Sequence, residues 1–570
     1  MTNASKFRIA AAVGAVAFIG LLAFFTSSGS DQPMPVVAPQ FSSSDASRRR
    51  DFEQGFDFLK RLDEFELAEA RQRILYHLRQ WLKRQRADPN WTVDVLAEQQ
   101  GLVSNEQLAP LNLENYDVQV LQEATWMRDV ARNVIQENNP SPDLQRLIDT
   151  AAQKLDETTA SDLSHVTQLF DWTVRNLLLD VENAVGDTDR TPSPVILQAW
   201  ESLQMGRGTV QEKSRVFILL ARQIGLPVVM LAVEKPSGDI EPWLPAAFLG
   251  DQLFLFDMRL GTPLLGADLS IATLEDVIDD PGILHQMGEQ SGSPYPIEGK
   301  ELSNVVALID ATPGYLSQRM AVLEQQLMGA NKMVLTVAPT LLAQQLAKTE
   351  KIKAVGIWQM PYEGFAIRES LVSMPDSIRW LSSEYRLFDR RTPLVQARIL
   401  HLRGRCDPTE DLPGARQYYL ECRRPNSEIE AIDRIPIGEG KTPEEVAAYQ
   451  QRLDEVQSLM VRTKQTATYW LGLIAFERGE YEVAANYFEK RLIDAYPGSM
   501  WISGAKYNLA RCYEAMGVRD QDKVSVDKAI EIYKSVQNSP MTPACTWRAI
   551  WLESQNQGQD AAEAELLPLE

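Results

Sequence analysis

Two carboxylates, Glu241 and Asp257, stand on the neighbouring strand-like runs EPWLPAAFLG and DQLFLFDMRLG. Paired side chains of this kind can divide the work of general acid and general base, so a hydrolase or transferase built around Glu241 and Asp257 is one reading. Other chemistries lack their groups. None of the four His lies between residues 166 and 284, and the four Cys (406, 422, 512 and 545) all lie beyond residue 400. The H-E-x-x-H, G-x-S-x-G and C-x-x-C patterns are absent, so metalloprotease, serine hydrolase and zinc-site readings have no support. His285, in GILHQMG, reads as a helix-packing or exposed residue. GEGKT at Gly438–Thr442 has Ile435 where a phosphate loop needs glycine, and reads as a turn before a helix opened by Thr442, Pro443 and Glu445. No cofactor and no metal is expected.

The elements that must position the two carboxylates can be read from periodicity. Leu169–Asp180 (LFDWTVRNLLLD) and the segment after Gly206 (GRGTVQEKSRVFILLARQIGLPVVMLAV) read as helices. The apolar runs Val228–Val233, Leu244–Leu249 and Leu253–Phe256 read as strands. This order, with its W-x-x-x-N helix, R-G-x-x-x-E turn and G-L-P-V-V segment, resembles the transglutaminase-like core of the papain-like thiol enzymes. The resemblance implies a Cys nucleophile at a helix N-terminus, a His on one strand and an orienting Asp on the next. Carried over residue by residue, these positions fall on Val210, Glu241 and Asp257. Valine offers no nucleophilic atom, and losing a triad nucleophile costs on the order of 10⁴–10⁶ in rate. The resemblance therefore implies a catalytically inactive copy, with no catalytic residue at these degenerate positions. The helix N-terminus near Thr209, Val210 and Gln211 is expected to keep backbone N–H groups for an anion or a peptide carbonyl.

The chain has 570 residues, with 57 Lys+Arg against 78 Asp+Glu and a net charge of -21. An acidic surface repels phosphate, so nucleic acid is not an expected partner. Ile9–Phe25 is an uncharged apolar run preceded by Lys6 and Arg8, and predicts a membrane anchor or signal with the body of the protein extracytoplasmic, on the periplasmic side of a bacterial inner membrane. The expected organisation is multidomain α+β: an anchor (1–25), a flexible linker (26–50) that includes the run Arg48–Arg50, and a helical region (51–160). A transglutaminase-like domain (161–300), a small α/β region (301–390), helical repeats (391–556) and an acidic tail (557–570) complete it. In 51–86 the apolar spacing fits helices folded against the next domain better than a coiled-coil stem, since the heptad is irregular. In 301–390, Val305–Ile309, Val334–Val337 and Ala354–Trp358 read as strands separated by helices.

Thr466–Ser499 places Leu471, Gly472, Gly479, Tyr481, Ala484, Phe488 and Pro497 at spacings that resemble a tetratricopeptide repeat, and Ala505–Gly517 with Ala529, Tyr533 and Pro540 forms a second copy. The inner surface of such an array commonly takes a peptide or a partner helix. The resemblance places Tyr469, Phe476, Glu477, Tyr507, Arg511 and Glu514 there, so another protein is the expected partner. The function these observations imply is a membrane-anchored scaffold whose repeat module binds another protein. Of the cysteines, Cys406 and Cys422 are the easier pair to join as a disulfide, and Cys512 fits a buried free thiol equally well.

Overall fold

The computed structural model describes residues 43–566, apart from 63–64, 137–139, 181–195, 267–268, 373–385, 390, 411 and 435–441. The apolar run 9–25 lies outside the described residues, and among the described residues no helix is long and apolar enough to cross a membrane. The expectation of a transmembrane helix, and the membrane-anchored extracytoplasmic location built on it, are corrected by that finding.

Two helices open the described chain, α1 (Ser43–Lys60) and α2 (Leu67–Leu82). They close on each other as a hairpin because position 55 has no side chain: a Cβ there would lie 2.6 Å from the Leu78 side chain. Residues 43–50, expected as linker, are helical. Helices α3 (Asn115–Gln136), α4 (Pro142–Ala152) and α5 (Glu157–Asn176) follow, the last capped by the Asp156 carboxylate on the Thr158 and Thr159 amides.

The sheet is built from β1 (Val228–Glu234), β2 (Ile240–Leu249), β3 (Gln252–Asp257), β4 (Thr262–Pro263), β5 (Val305–Ile309) and β6 (Ala354–Ile357), in the spatial order β4-β3-β2-β1-β5-β6. Within this sheet, among the described residues, β5 and β6 are the one parallel pair. β1 is central, with Met230 opposite Pro245 on one side and Leu308 on the other, which explains its uninterrupted apolar run. The sheet runs across the boundary expected near residue 300, so β5 and β6 complete it instead of forming a separate α/β region. Val334–Val337 is not a strand. Both backbone groups of Val334 are taken by the Gln223 side chain (2.9 and 3.0 Å), and the Val337 amide donates to the Tyr315 carbonyl, so no strand partner is needed.

Helix α6 (Val210–Gln223) packs under the sheet. Beyond α7 (Pro393–Leu402) come α8 (Pro443–Glu477), α9 (Tyr481–Phe488), α10 (Ile502–Asp520), α11 (Lys523–Lys534) and α12 (Thr542–Leu566), each packed on the next. Thr442 and Glu445 form the expected capping box of α8, while residues 438–441 lie outside the described residues. Gly472 lets α8 and α9 approach, since a Cβ there would lie 2.6 Å from the Phe488 ring.

This helical array is fastened to α4 and α5 by a buried ionic network. Arg511 reaches Asp171 at 2.8 Å and Asp143 at 2.9 Å, and Arg548 reaches Asp143 at 2.8 Å and Glu514 at 2.7 Å. Arg175 holds the other Asp171 oxygen at 2.7 Å, and the Tyr533 hydroxyl donates to Glu514 at 3.0 Å. Burial pushes the Asp171 carboxyl up, yet Arg175 and Arg511 outweigh it and hold it well below the usual carboxylate range. Removing one partner of such a cluster leaves charge buried without compensation. Arg511→Met is therefore expected to lower stability by about 3–5 kcal/mol, read by denaturant unfolding, whereas replacement of an exposed cation such as Lys490 should change it by less than about 1 kcal/mol.

The candidate active site and the helices packed on it

Helix α6 starts where the resemblance expects a nucleophile, and its first turn is Val210, a half-buried isopropyl group against the core. Thr209 caps the helix: its hydroxyl accepts from the Glu212 amide at 3.3 Å while the Glu212 carboxylate accepts from the Thr209 amide at 2.8 Å. Glu212 also accepts from the Leu197 amide at 2.5 Å. The N-terminus expected to bind an anion thus already holds a carboxylate of its own helix.

Glu241 and Asp257 take different partners. The β1–β2 register shifts by one residue at Trp243, a bulge that turns the start of β2 outward. Glu241 is 57% exposed there and pairs with Lys235 at 3.1 Å, which also holds Glu301 at 2.7 Å. Asp257 is buried. One of its oxygens accepts from the Arg259 and Leu260 amides (2.8 and 3.0 Å) and the other accepts from the Tyr295 hydroxyl at 2.8 Å. The Trp243 indole donates to that same hydroxyl at 3.3 Å. Burial and the neighbouring Asp257 charge push the Tyr295 phenol well up, so it stays protonated and donates. A phenol therefore holds the carboxylate that the resemblance would pair with imidazole. Tyr295 also lines an open cavity of about 900 Å³ with Leu284 and Ile297.

One turn beyond Val210, Lys213 is buried, and its ammonium group donates to the Val174 carbonyl at 3.5 Å. Burial pushes the amine down to about 7, against the weaker pull of Asp180. Its neighbours Glu212, Ser214 and Arg215 are polar too, so the sequence gives no signal of this environment. An unfolded lysine holds its proton up to about 10.5, so between pH 7 and 10.5 the unfolded chain binds more protons and stability rises with pH. Lys213→Met is expected to stabilise the protein by about 2 kcal/mol at pH 7 and to flatten that rise, as measured by denaturant unfolding across the same window.

The six residues expected on an open partner surface are all buried, and their partners belong to this chain. The Tyr469 hydroxyl donates to the Arg175 carbonyl at 3.4 Å, and the Phe476 ring lies under the Arg175 guanidinium at 4.5 Å. Glu477 accepts from the Asn176 amide at 2.9 Å. Tyr507 packs on Tyr533, while Arg511 and Glu514 belong to the ionic network. The segment leading into α6 is covered as well: a Cβ on Gly206, which has φ of +68°, would lie 3.0 Å from the Trp470 indole nitrogen. A surface read as free for a partner is thus an intramolecular interface with α5 and the entry to α6.

Sequence reasoning missed His401 and Arg398, which complete this interface. Arg398 lies 3.3 Å from His401 Nδ1 and can only donate, so Nδ1 accepts and Nε2 carries the proton toward Glu477, 3.0 Å away. Burial pushes the imidazole down, which keeps it neutral. Burial also pushes the Glu477 carboxyl up, but His401, Arg175 and the Asn176 donor outweigh it and leave the carboxyl at about 2. The stabilisation from this carboxylate is complete above its ordinary value of 4.5 and is lost as pH falls from 4.5 toward 2. Glu477→Gln should be less stable at pH 7 by about 2–3 kcal/mol and should lose less stability than the parent over that acid window, checked by unfolding at pH 7, 4 and 3.

All four cysteines are free, including Cys406 and Cys422, the pair easiest to join by position. The Cys406 carbonyl accepts from the Arg416 amide in the first turn of the Ala415–Glu421 helix, whose far end is capped by Cys422. Burial pushes both thiols up to about 12, which leaves them unreactive at neutral pH.

No curated protein and no solved structure matches this chain. The model of the transglutaminase-like superfamily matches residues 149–236, a span that takes in α5, Val210 and β1 and ends before Glu241 and Asp257. Residues 149–236 form a transglutaminase-like domain.

Proposed function

We propose that the protein is a non-catalytic scaffold, in which the transglutaminase-like domain is the platform for a tetratricopeptide-like helical array and the combined body binds another protein. The observation that carries this reading is the start of α6: the residue at the nucleophile position is Val210, and the approach to it is packed against Trp470. The separate partners of Glu241 and Asp257 argue against a carboxylate pair as the substitute machinery.

The test is turnover. Purified full-length protein is assayed for peptide hydrolysis and for amine incorporation into glutamine-containing peptides, beside Glu241→Gln and Asp257→Asn. The expected result is no rate above the uncatalysed reaction in any of the three. Turnover in the parent that either substitution lowers by about 10²-fold or more would assign an enzyme to the carboxylates and end the scaffold reading.

A further inference from the structure

The array's inner surface is filled by α5, so a partner must meet the molecule elsewhere. The charge distribution singles out one place. Residues 48–86 carry eleven Lys and Arg against seven Asp and Glu, a net of +4, which leaves the rest of the chain at -25. The hairpin fold gathers part of this charge at one end. Arg84 pairs with Asp51 at 2.7 Å and His77 lies 3.7 Å from the same carboxylate, which sets the middle of α1 beside the end of α2. Arg49, Arg50, Lys83, Arg84 and Arg86 therefore share this open end, and all are exposed. Arg49 is matched by Glu53 at 2.8 Å, whereas Arg50, Lys83 and Arg86 take no carboxylate partner among the described residues. Tyr76, 60% exposed, stands two turns before Lys83 on the same side of α2. Arginine, lysine and an exposed tyrosine without carboxylate partners are the composition of a recognition patch, in contrast with the i,i+4 ion pairs that neutralise ordinary helix surfaces.

We infer that the open end of the α1–α2 hairpin is the docking surface for a short acidic segment of a partner protein, an inference that rests on the scaffold reading. The size of the patch selects the class of partner. At physiological ionic strength the field of the acidic body is screened beyond about 8 Å, so a short carboxylate-bearing segment meets the local positive charge. A nucleic acid or an anionic bilayer extends past the patch and meets the acidic remainder of the surface.

The experiment titrates the full chain with a short fluorescent peptide of glutamates and one leucine, with the same peptide bearing lysines, with a single-stranded oligonucleotide, and with phosphatidylserine vesicles. The glutamate peptide is expected to bind, to weaken as salt is raised, and to weaken by about tenfold or more in Arg50→Glu/Lys83→Glu/Arg86→Glu, whose thermal unfolding should match the parent because none of the three is packed or paired. Absence of binding to the parent, equal binding to the variant, or tighter binding of the oligonucleotide or vesicles would each overturn the inference. Those outcomes move the docking surface and leave the scaffold reading in place, since only turnover removes that reading.

Discussion

The arginine–carboxylate network between α10, α12 and the α4–α5 pair is the constraint on which the rest of the structure depends. Arg511 and Arg548 are placed in the interior by α10 and α12, and Asp143 and Asp171 by helices that precede the sheet. Burying these guanidinium groups is tolerated because carboxylates meet them, and parting the two halves of the chain takes Asp143 away from both Arg511 and Arg548 and Asp171 away from Arg511. The network adds geometry to what apolar packing alone would leave loose. It fixes which face of α5 the array covers, and therefore which residues of the array remain available.

From that placement the character of the central domain follows. With α5 and the Gly206 turn covered, the first turn of α6 is a packing position, and a capping box with Val210 suits it better than a reactive group would. Asp257 receives a phenol, Glu241 joins a surface ion pair, and the buried Lys213 makes α6 less stable at neutral pH than an apolar residue would. The Glu477–His401–Arg398 chain continues the same logic on the α7 and α8 side, with a neutral imidazole passing hydrogen bonds between a guanidinium and a carboxylate.

Much of this architecture was legible in the residues. The unbroken apolar run Val228–Val233 marked a central strand, W-x-x-x-N and G-L-P-V-V marked α5 and the approach to β1, and Thr442 with Glu445 marked the start of α8. Periodicity states which face of a helix is apolar, but it does not state what covers that face. For that reason Tyr469, Phe476 and Tyr507 read as an open surface, while the structure lays α5 on them. The partners of Asp257 and Glu477 were hidden for a related reason: Tyr295 and His401 lie 38 and 76 residues away, and no local spacing rule links such pairs. The single sheet spanning β1 to β6 was divided at residue 300 because β5 joins β1 across an intervening helical stretch.

The central claim is that the transglutaminase-like domain and the helical array are one cooperative unit closed around the start of α6. Native-state hydrogen exchange on the amides of α5 and α10 tests it most directly, because these helices carry opposite sides of the ionic network. The account predicts that the slowest amides of both helices open with the same free energy and respond equally to denaturant. Exchange through α10 at a free energy lower by several kcal/mol, with α5 still protected, would show an array that separates from its platform and would contradict the account.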